Sequence, residues 1–87
     1  MPTHFSASIT DIQLQSREPS SVRWRIALSK TSFTPGDTGF LEATSRSGTR
    51  IQLAVLHVHE DEHGDIWHIV EKPLAAGTEV VGRVSPS

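Results

Sequence analysis

The sequence predicts an all-β fold, a small antiparallel β-sandwich or barrel of six to seven strands. In several separate runs, apolar residues alternate with polar ones at a period of two, as in strands with one buried face. Turn-forming residues separate these runs at intervals of roughly eight to twelve residues, which is typical of small β domains. No run has the i, i+3, i+4, i+7 apolar spacing of an amphipathic helix. With 87 residues, the chain is expected to form one β domain spanning residues 1–87.

The first third of the chain contains the most regular alternation. Residues 5–14 alternate, but the phase changes near Thr10, which indicates a bulge or a bend within the first strand. Residues 17–21 contain a proline and two serines and predict a turn. Residues 22–28 form the clearest strand, and its apolar face, which includes Trp24, is expected to face the core.

The later strands form a predicted meander closed by a final strand. Thr-Pro-Gly-Asp at 34–37 is typical of a tight turn, because proline presets φ and glycine permits a positive φ. A second turn is predicted at 45–48, where serines flank an arginine and precede a glycine. The predicted strands span residues 38–44, 50–59, 66–71 and 79–84.

The inward faces of these strands predict the core. The positions share apolar character and period-two spacing within their strands. They are Phe5, Ile9, Val22, Trp24, Ile26, Leu28, Phe40, Leu53, Val55, Ile69, Val80 and Val84.

Histidines are concentrated in the predicted hairpin of residues 50–71. An even-length loop over residues 60–65 fixes which side chains share a face, because the strand period is two. In either even register, His57, His59 and His68 lie on the same face. An odd loop would move His68 to the opposite face.

Three imidazoles on one face predict a candidate zinc or other divalent-metal site formed by His57, His59 and His68. Zinc enzymes use three protein ligands and an open fourth position, so the same residues predict a metal-binding barrel or a metalloenzyme as the alternative function. A pH sensor is a further alternative, because histidines and acidic residues next to each other change their interaction near pH 6.

The hairpin is apolar on both faces, which predicts an interface. One face is expected to pack on the core of the domain, and the other requires cover from a second chain. The residues predicted to form this interface are Leu56, Val58, Trp67 and Ile69. The leading functional prediction is therefore a non-enzymatic protein-interaction or assembly module. Such a small accessory or adaptor protein would bind a protein partner or self-associate as a dimer or larger oligomer.

Arginines on one predicted strand indicate a basic patch. Arg23 and Arg25 alternate with Trp24, so both arginines face away from the core while the Trp24 ring faces it. Arg83 extends the pair if the last strand lies next to this one. Such a patch is suited to recognise acidic groups.

Composition narrows the classes of function. The chain has no cysteine, so it forms neither a disulfide nor a thiolate metal site. A formal charge of −2 disfavours nucleic-acid binding by bulk charge. No nucleophile elbow or phosphate-binding loop occurs, which favours a protein that is not an enzyme. The absence of a hydrophobic leader or an apolar run of about 20 residues predicts no membrane association and a cytoplasmic location.

Overall fold

A computed structural model describes residues 4–44 and 47–85, and in these residues every regular element is a β-strand. The all-β prediction is confirmed. The strands are β1 His4–Glu18, β2 Ser21–Leu28, β3 Gly39–Thr44, β4 Arg50–Val55, β5 His57–Glu60, β6 Ile66–Val70 and β7 Glu79–Val84. The described part of the chain therefore contains no helix that could span a membrane.

The seven strands form one antiparallel sheet in the order β4-β3-β7-β1-β2-β6-β5. The long strand β1 pairs with β7 through residues 4–8 and with β2 through residues 9–18. It thus belongs to both halves of the sheet. The consecutive strands β4 and β5 lie at opposite ends of the sheet, one in each half. Buried side chains from both halves form a single cluster, so the sheet folds over on itself as a sandwich.

A register shift interrupts β1 between Ile9 and Asp11. The predicted bulge near Thr10 is therefore confirmed. A bulge bends its strand and increases the local twist. This bend allows one continuous strand to pass from the first half of the sandwich to the second.

A second bulge, at Leu56, corrects the predicted strand at 50–59. The Leu56 N–H donates to the Ile69 carbonyl at 2.8 Å, and Ile69 is also the pairing partner of His57. Leu56 and His57 therefore both lie opposite Ile69. The extra residue moves the side chains that follow it to the opposite face from the one a continuous strand would give them. As a result, Val55 and Val58 are both buried although three positions separate them. The segment becomes two strands that serve opposite ends of the sheet.

The core is close to the predicted set, except that Ile69 is buried on the outer face and Phe40 is exposed. Most of the predicted residues are buried or pack against the buried cluster, but Phe40 is 41% exposed. Its neighbours Leu41 and Ala43 face the core instead, because β3 begins at Gly39 and pairs Leu41 with the buried Leu53. The prediction for Phe40 is wrong because alternation alone cannot choose between two adjacent apolar residues.

The turn predicted at 34–37 is present. The Asp37 N–H donates to the Thr34 carbonyl at 3.0 Å, and Gly36 has a φ of 92°. The turn predicted at 45–48 lies partly outside the described residues, at Ser45 and Arg46. On either side of it, β3 and β4 pair as an antiparallel hairpin.

Candidate functional site

The loop of the histidine hairpin contains an odd number of residues. His57 pairs with Ile69, His59 with Trp67, and Glu60 with Ile66, which leaves five residues in the connection. The even register predicted from the sequence is therefore wrong. The loop closes through the Asp61 N–H, which donates to the Asp65 carbonyl at 3.0 Å.

Asp61 is the residue that stabilises this loop length. Its Oδ1 accepts the backbone N–H groups of His63 at 2.8 Å and Asp65 at 2.9 Å. Its Oδ2 accepts the indole N–H of Trp67 at 2.8 Å. These hydrogen bonds to the charged form, the one from Trp67 most of all, lower the pKa of the Asp61 carboxyl. One aspartate thus ties the loop to the strand that follows it.

The odd register places His68 in the core, on the face opposite to His57 and His59. His68 is fully buried, and Val58 is its cross-strand partner. Its Nδ1 lies 2.8 Å from the Ile26 carbonyl oxygen, which can only accept, so Nδ1 carries the hydrogen. Its Nε2 then accepts from the Thr31 hydroxyl at 2.8 Å. Burial lowers the pKa of the His68 imidazole.

His68 therefore acts as an anchor for the connection between β2 and β3. Thr31 Oγ1 also accepts the backbone N–H of Phe33 at 3.0 Å. The buried Phe33 ring packs edge-on against the His68 imidazole, with centroids 5.2 Å apart, and against Phe5, with centroids 5.8 Å apart. We call His68, Thr31 and Phe33 the latch.

His57 and His59 remain together on the outer face of the hairpin. Their rings stack with centroids 6.3 Å apart. The structure does not bring the three predicted metal ligands to one point, because His68 faces the core and both of its ring nitrogens are hydrogen-bonded. Among residues 4–44 and 47–85, no cluster of three or more histidine, cysteine or acidic side chains is arranged to hold a metal ion.

The four residues predicted as an interface do not share one free surface. Val58 lies in the core, whereas Trp67 and Ile69 lie on the outer face. Both outer residues are nevertheless only 5% exposed, and Leu56 is half-buried. The chain itself thus covers most of the apolar surface that was expected to need a second chain.

Arg25 provides much of that cover. Its guanidinium carbon lies 4.5 Å from the centroid of the Trp67 ring, a cation–π geometry, and its N–H groups donate to Gln13 Oε1. Ile69 is the cross-strand partner of Arg25 on this face. An arginine stem can cover apolar surface while its head remains polar.

The three arginines predicted as a basic patch are distributed over both halves of the sheet. Arg25 and Arg23 lie on β2, whereas Arg83 lies on β7, and β1 separates these two strands. Arg83 pairs with His4 on one side and with Phe40 on the other. The condition for the predicted patch, that the last strand lie next to β2, is therefore not met.

The surface that the sequence did not predict is the free edge of β4. Backbone groups of successive strand residues point to alternate sides. The Ser85 N–H donates to the Thr38 carbonyl across the β7–β3 pair, so the backbone groups of Thr38 point toward β7. The backbone groups of Gly39, the next residue along the chain, therefore point the other way, toward β4. Its partner Val55 therefore bonds to β3.

The same alternation identifies the β4 residues whose backbone groups point outward. Leu53 and Ile51 bond to β3 as Val55 does, so Arg50, Gln52 and Ala54 direct their N–H and C=O groups away from it. Leu56 continues this parity, and its N–H does point away from β3, toward Ile69. No strand within the described residues pairs with Arg50, Gln52 or Ala54 on this side.

Exposed apolar side chains accompany these backbone groups. Phe40 is 41% exposed on the outer face, directly beside Ala54 on the neighbouring strand. Ile51 is 40% exposed on β4 itself. A cleft of about 200 Å³ lies between β4 and the chain after β6, at Glu71 and Lys72. We call β4 together with Phe40 the open edge.

No relative of this chain was found among known proteins. The chain matches no protein-family model, no curated protein and no solved structure.

Proposed function

We propose that this chain is a non-enzymatic protein-interaction module and that it binds its partner by strand addition at the open edge. The observation that carries the proposal is the row of outward backbone groups at Arg50, Gln52 and Ala54 beside exposed Phe40 and Ile51. An extended segment that pairs with a sheet edge gains main-chain hydrogen bonds, and flanking apolar side chains add specificity.

The limited protection along this edge supports the proposal. Soluble β proteins commonly block an edge strand with proline, an inward-pointing charge, a bulge or a covering loop. Between Arg50 and Val55 there is no proline, and Arg50 at the end of the strand is the one charged residue. A cleft of about 200 Å³ separates Gln52 and Ala54 from Glu71 and Lys72, the segment that follows β6. An edge strand that no other strand pairs with and that has exposed apolar side chains is suited to a partner.

The side chains at the open edge serve both faces of an added strand. Phe40 lies on the outer face, whereas Ile51 pairs with the buried Ala43 and so lies on the core-facing side. An added strand alternates its own side chains between the same two faces. Apolar residues at alternate positions of the partner would therefore contact Phe40 or Ile51 according to their parity.

Site-specific photo-crosslinking tests this proposal. A photoreactive phenylalanine analogue replaces Gln52 in one variant and Gln15, an exposed residue on β1 in the other half of the sheet, in the control. Cells that express each variant are irradiated, and we expect protein adducts from position 52 and few from position 15.

A backbone variant makes the test specific to strand addition. Ala54→Pro removes an outward N–H that makes no bond to β3, so the hairpin should still form, since proline is tolerated on edge strands. Adducts at position 52 should decrease with Ala54→Pro and persist with Ala54→Ser, which keeps the N–H. Equal adducts at positions 52 and 15, or adducts that Ala54→Pro leaves unchanged in a folded protein, would contradict the proposal.

A further inference from the structure

We infer that the partner at the open edge is a second copy of this chain, paired antiparallel through β4 with Gln52 opposite Gln52. This inference rests on the proposed function and specifies its partner. It follows from the spacing of the outward backbone groups, from the side chains that such a pairing brings together, and from the covered state of the other sheet edge.

The outward backbone groups are symmetric about Gln52. Arg50 and Ala54 lie two residues on either side of it, so a two-fold axis at Gln52 pairs Arg50 of each copy with Ala54 of the other. Every outward N–H then meets an outward C=O. A shift by two residues in one direction would require Leu56, whose N–H already donates to Ile69. A shift in the other direction would require Gly48, in the turn before β4.

The side chains in this register are compatible on both faces. On the core-facing side, Ile51 of one copy, which is 40% exposed in the single chain, lies opposite Leu53 of the other and would lose part of that exposure. At the two-fold axis, the uncharged Gln52 meets itself. No like charges stand directly opposite each other across the junction, an arrangement that would destabilise the pair.

On the outer face, the register brings Arg50 of one copy toward Phe40 of the second. Arg50 lies opposite Ala54 of the second copy, whose neighbour on β3 is Phe40. With strands about 4.8 Å apart, the Phe40 backbone is about 10 Å from that of Arg50, which an extended arginine and a phenylalanine side chain together span. A cation over an aromatic ring is favourable. Glu42, also on the outer face of β3, provides an opposite charge beside it.

The other end of the sheet cannot pair in the same way. On β5, the Val58 carbonyl already accepts the Gly36 N–H at 3.0 Å. The turn at residues 34–37 therefore lies against that edge. With an outward carbonyl already bonded, β5 is less available than β4, and pairing through β4 alone closes the assembly as a dimer instead of extending it into a fibre.

Single-cysteine variants test the register directly, because the chain has no native cysteine. Directly opposed residues have Cα atoms about 5.5 Å apart, within the range of a disulfide. Under mild oxidation, Gln52→Cys should form a disulfide-linked dimer. Arg50→Cys and Ala54→Cys should each link slowly alone, because four residues separate each from its own copy, but rapidly when the two variants are mixed. Equal linking by all three single variants would overturn the register.

Sedimentation equilibrium tests the assembly. The wild-type chain should dimerise, and Gln52→Pro, whose missing N–H makes no bond to β3, should weaken dimerisation by at least about tenfold. Gln52→Ala keeps the N–H and should dimerise nearly as well as the wild type. Circular dichroism checks that each variant is folded. If Gln52→Pro does not fold, the cysteine variants still test the pairing.

The outcomes separate this inference from the proposed function. A folded wild-type chain that remains monomeric at high micromolar concentration would overturn the second copy as partner. Crosslinks from position 52 to another protein would then leave strand addition standing. Dimerisation that Gln52→Pro leaves unchanged would overturn the inference, and a lack of any crosslink specific to position 52 would overturn the proposed function as well.

Discussion

The two edges of the sheet differ in how far other parts of the chain cover them, although one short segment of chain supplies both edge strands. At the β5 end, the turn at residues 34–37 lies against the strand, and Gly36 donates to the Val58 carbonyl. At the β4 end, the backbone groups of Arg50, Gln52 and Ala54 point outward, and no strand within the described residues pairs with them. An unpaired edge promotes association, so a fold that protects one edge and leaves the other open is suited to pair through the open one.

The difference originates in the bulge at Leu56. Without the extra residue, a continuous strand would keep one alternation, and the segment could not place both Val55 and Val58 in the core. The bulge lets β4 pair with β3 and β5 pair with β6. It also ends the row of outward groups, because the Leu56 N–H is already bonded to Ile69. One inserted residue therefore defines where the open edge stops.

The largest expected effect compares a buried aromatic side chain with the exposed one at the open edge. Phe33→Ala should lower the free energy of unfolding by about 3–5 kcal/mol, because the ring is buried in the latch and its loss leaves a cavity. Phe40→Ala at the open edge should cost less than about 1 kcal/mol in the monomer. Urea unfolding of both variants at low protein concentration is the measurement. Similar losses for the two would mean that Phe40 is packed within the monomer and is not free for a partner.

A smaller effect is expected from the hydroxyl in the latch. Thr31→Val keeps the side-chain shape but removes the donor to His68 Nε2 and the acceptor for the Phe33 N–H. The loss should be about 1–3 kcal/mol, the cost of leaving part-buried polar groups unpaired. Thr44→Val, an exposed threonine on β3, is the matched control and should change stability by less than about 0.5 kcal/mol. Chemical denaturation at neutral pH distinguishes them.

The latch should also make stability depend on pH. Burial lowers the pKa of His68 below its ordinary value of 6.5, so the unfolded chain binds a proton that the folded chain does not. Its contribution is complete above pH 6.5 and decreases as the pH falls toward the folded-state pKa. The side chains that face it, from Ile26, Thr31, Phe33 and Val58, carry no charge that would offset protonation.

The free energy of unfolding should therefore fall between pH 7 and pH 5, by at most about 1.4 kcal/mol per pH unit for one proton. Urea unfolding across this pH range measures the decrease. The range lies above the pH at which carboxylates titrate, so their protonation contributes little. His68→Asn removes the titrating group, and its amide can still donate to the Ile26 carbonyl. The decline should be absent in that variant, and an equal decline would assign the pH dependence to another group.

The smallest effect is expected from zinc. His68 is held by two hydrogen bonds in the core, while His57 and His59 lie on the opposite face, so these three histidines do not form a common metal site. Added zinc should therefore leave the midpoint of thermal unfolding unchanged, because ligands stabilise a fold only by binding it better than the unfolded chain. A rise in the midpoint that disappears in His68→Ala would restore the three-histidine metal site as a functional hypothesis.

Sequence reasoning was most accurate where local chemistry decides the backbone. The turn at residues 34–37, the phase change near Thr10 and the strands at 22–28 and 79–84 all appear as predicted, within one residue at the strand ends. Proline, glycine and strict alternation act on neighbouring residues, so the sequence pattern contains that information.

The candidate site was harder to predict because faces depend on parity. Asp61 provides bonds that favour five loop residues over six, and this single residue moves His68 from the outer face into the core. Phe40 and Leu41 are adjacent apolar residues, and only pairing with Leu53 assigns the second to the core. In both cases an error of one residue exchanges the two faces of a strand.

By itself, the sequence determined that this chain is all-β, where its first bulge lies and where most of its strands begin and end. Those properties follow from side-chain period and turn chemistry, which are local. Only the tertiary structure decided which edge is covered, because Gly36 and Val58 are far apart in the chain and meet only when the sheet folds over. It also decided that Arg25 covers Trp67 and that β4 remains open, since long-range packing determines which backbone groups remain for a partner.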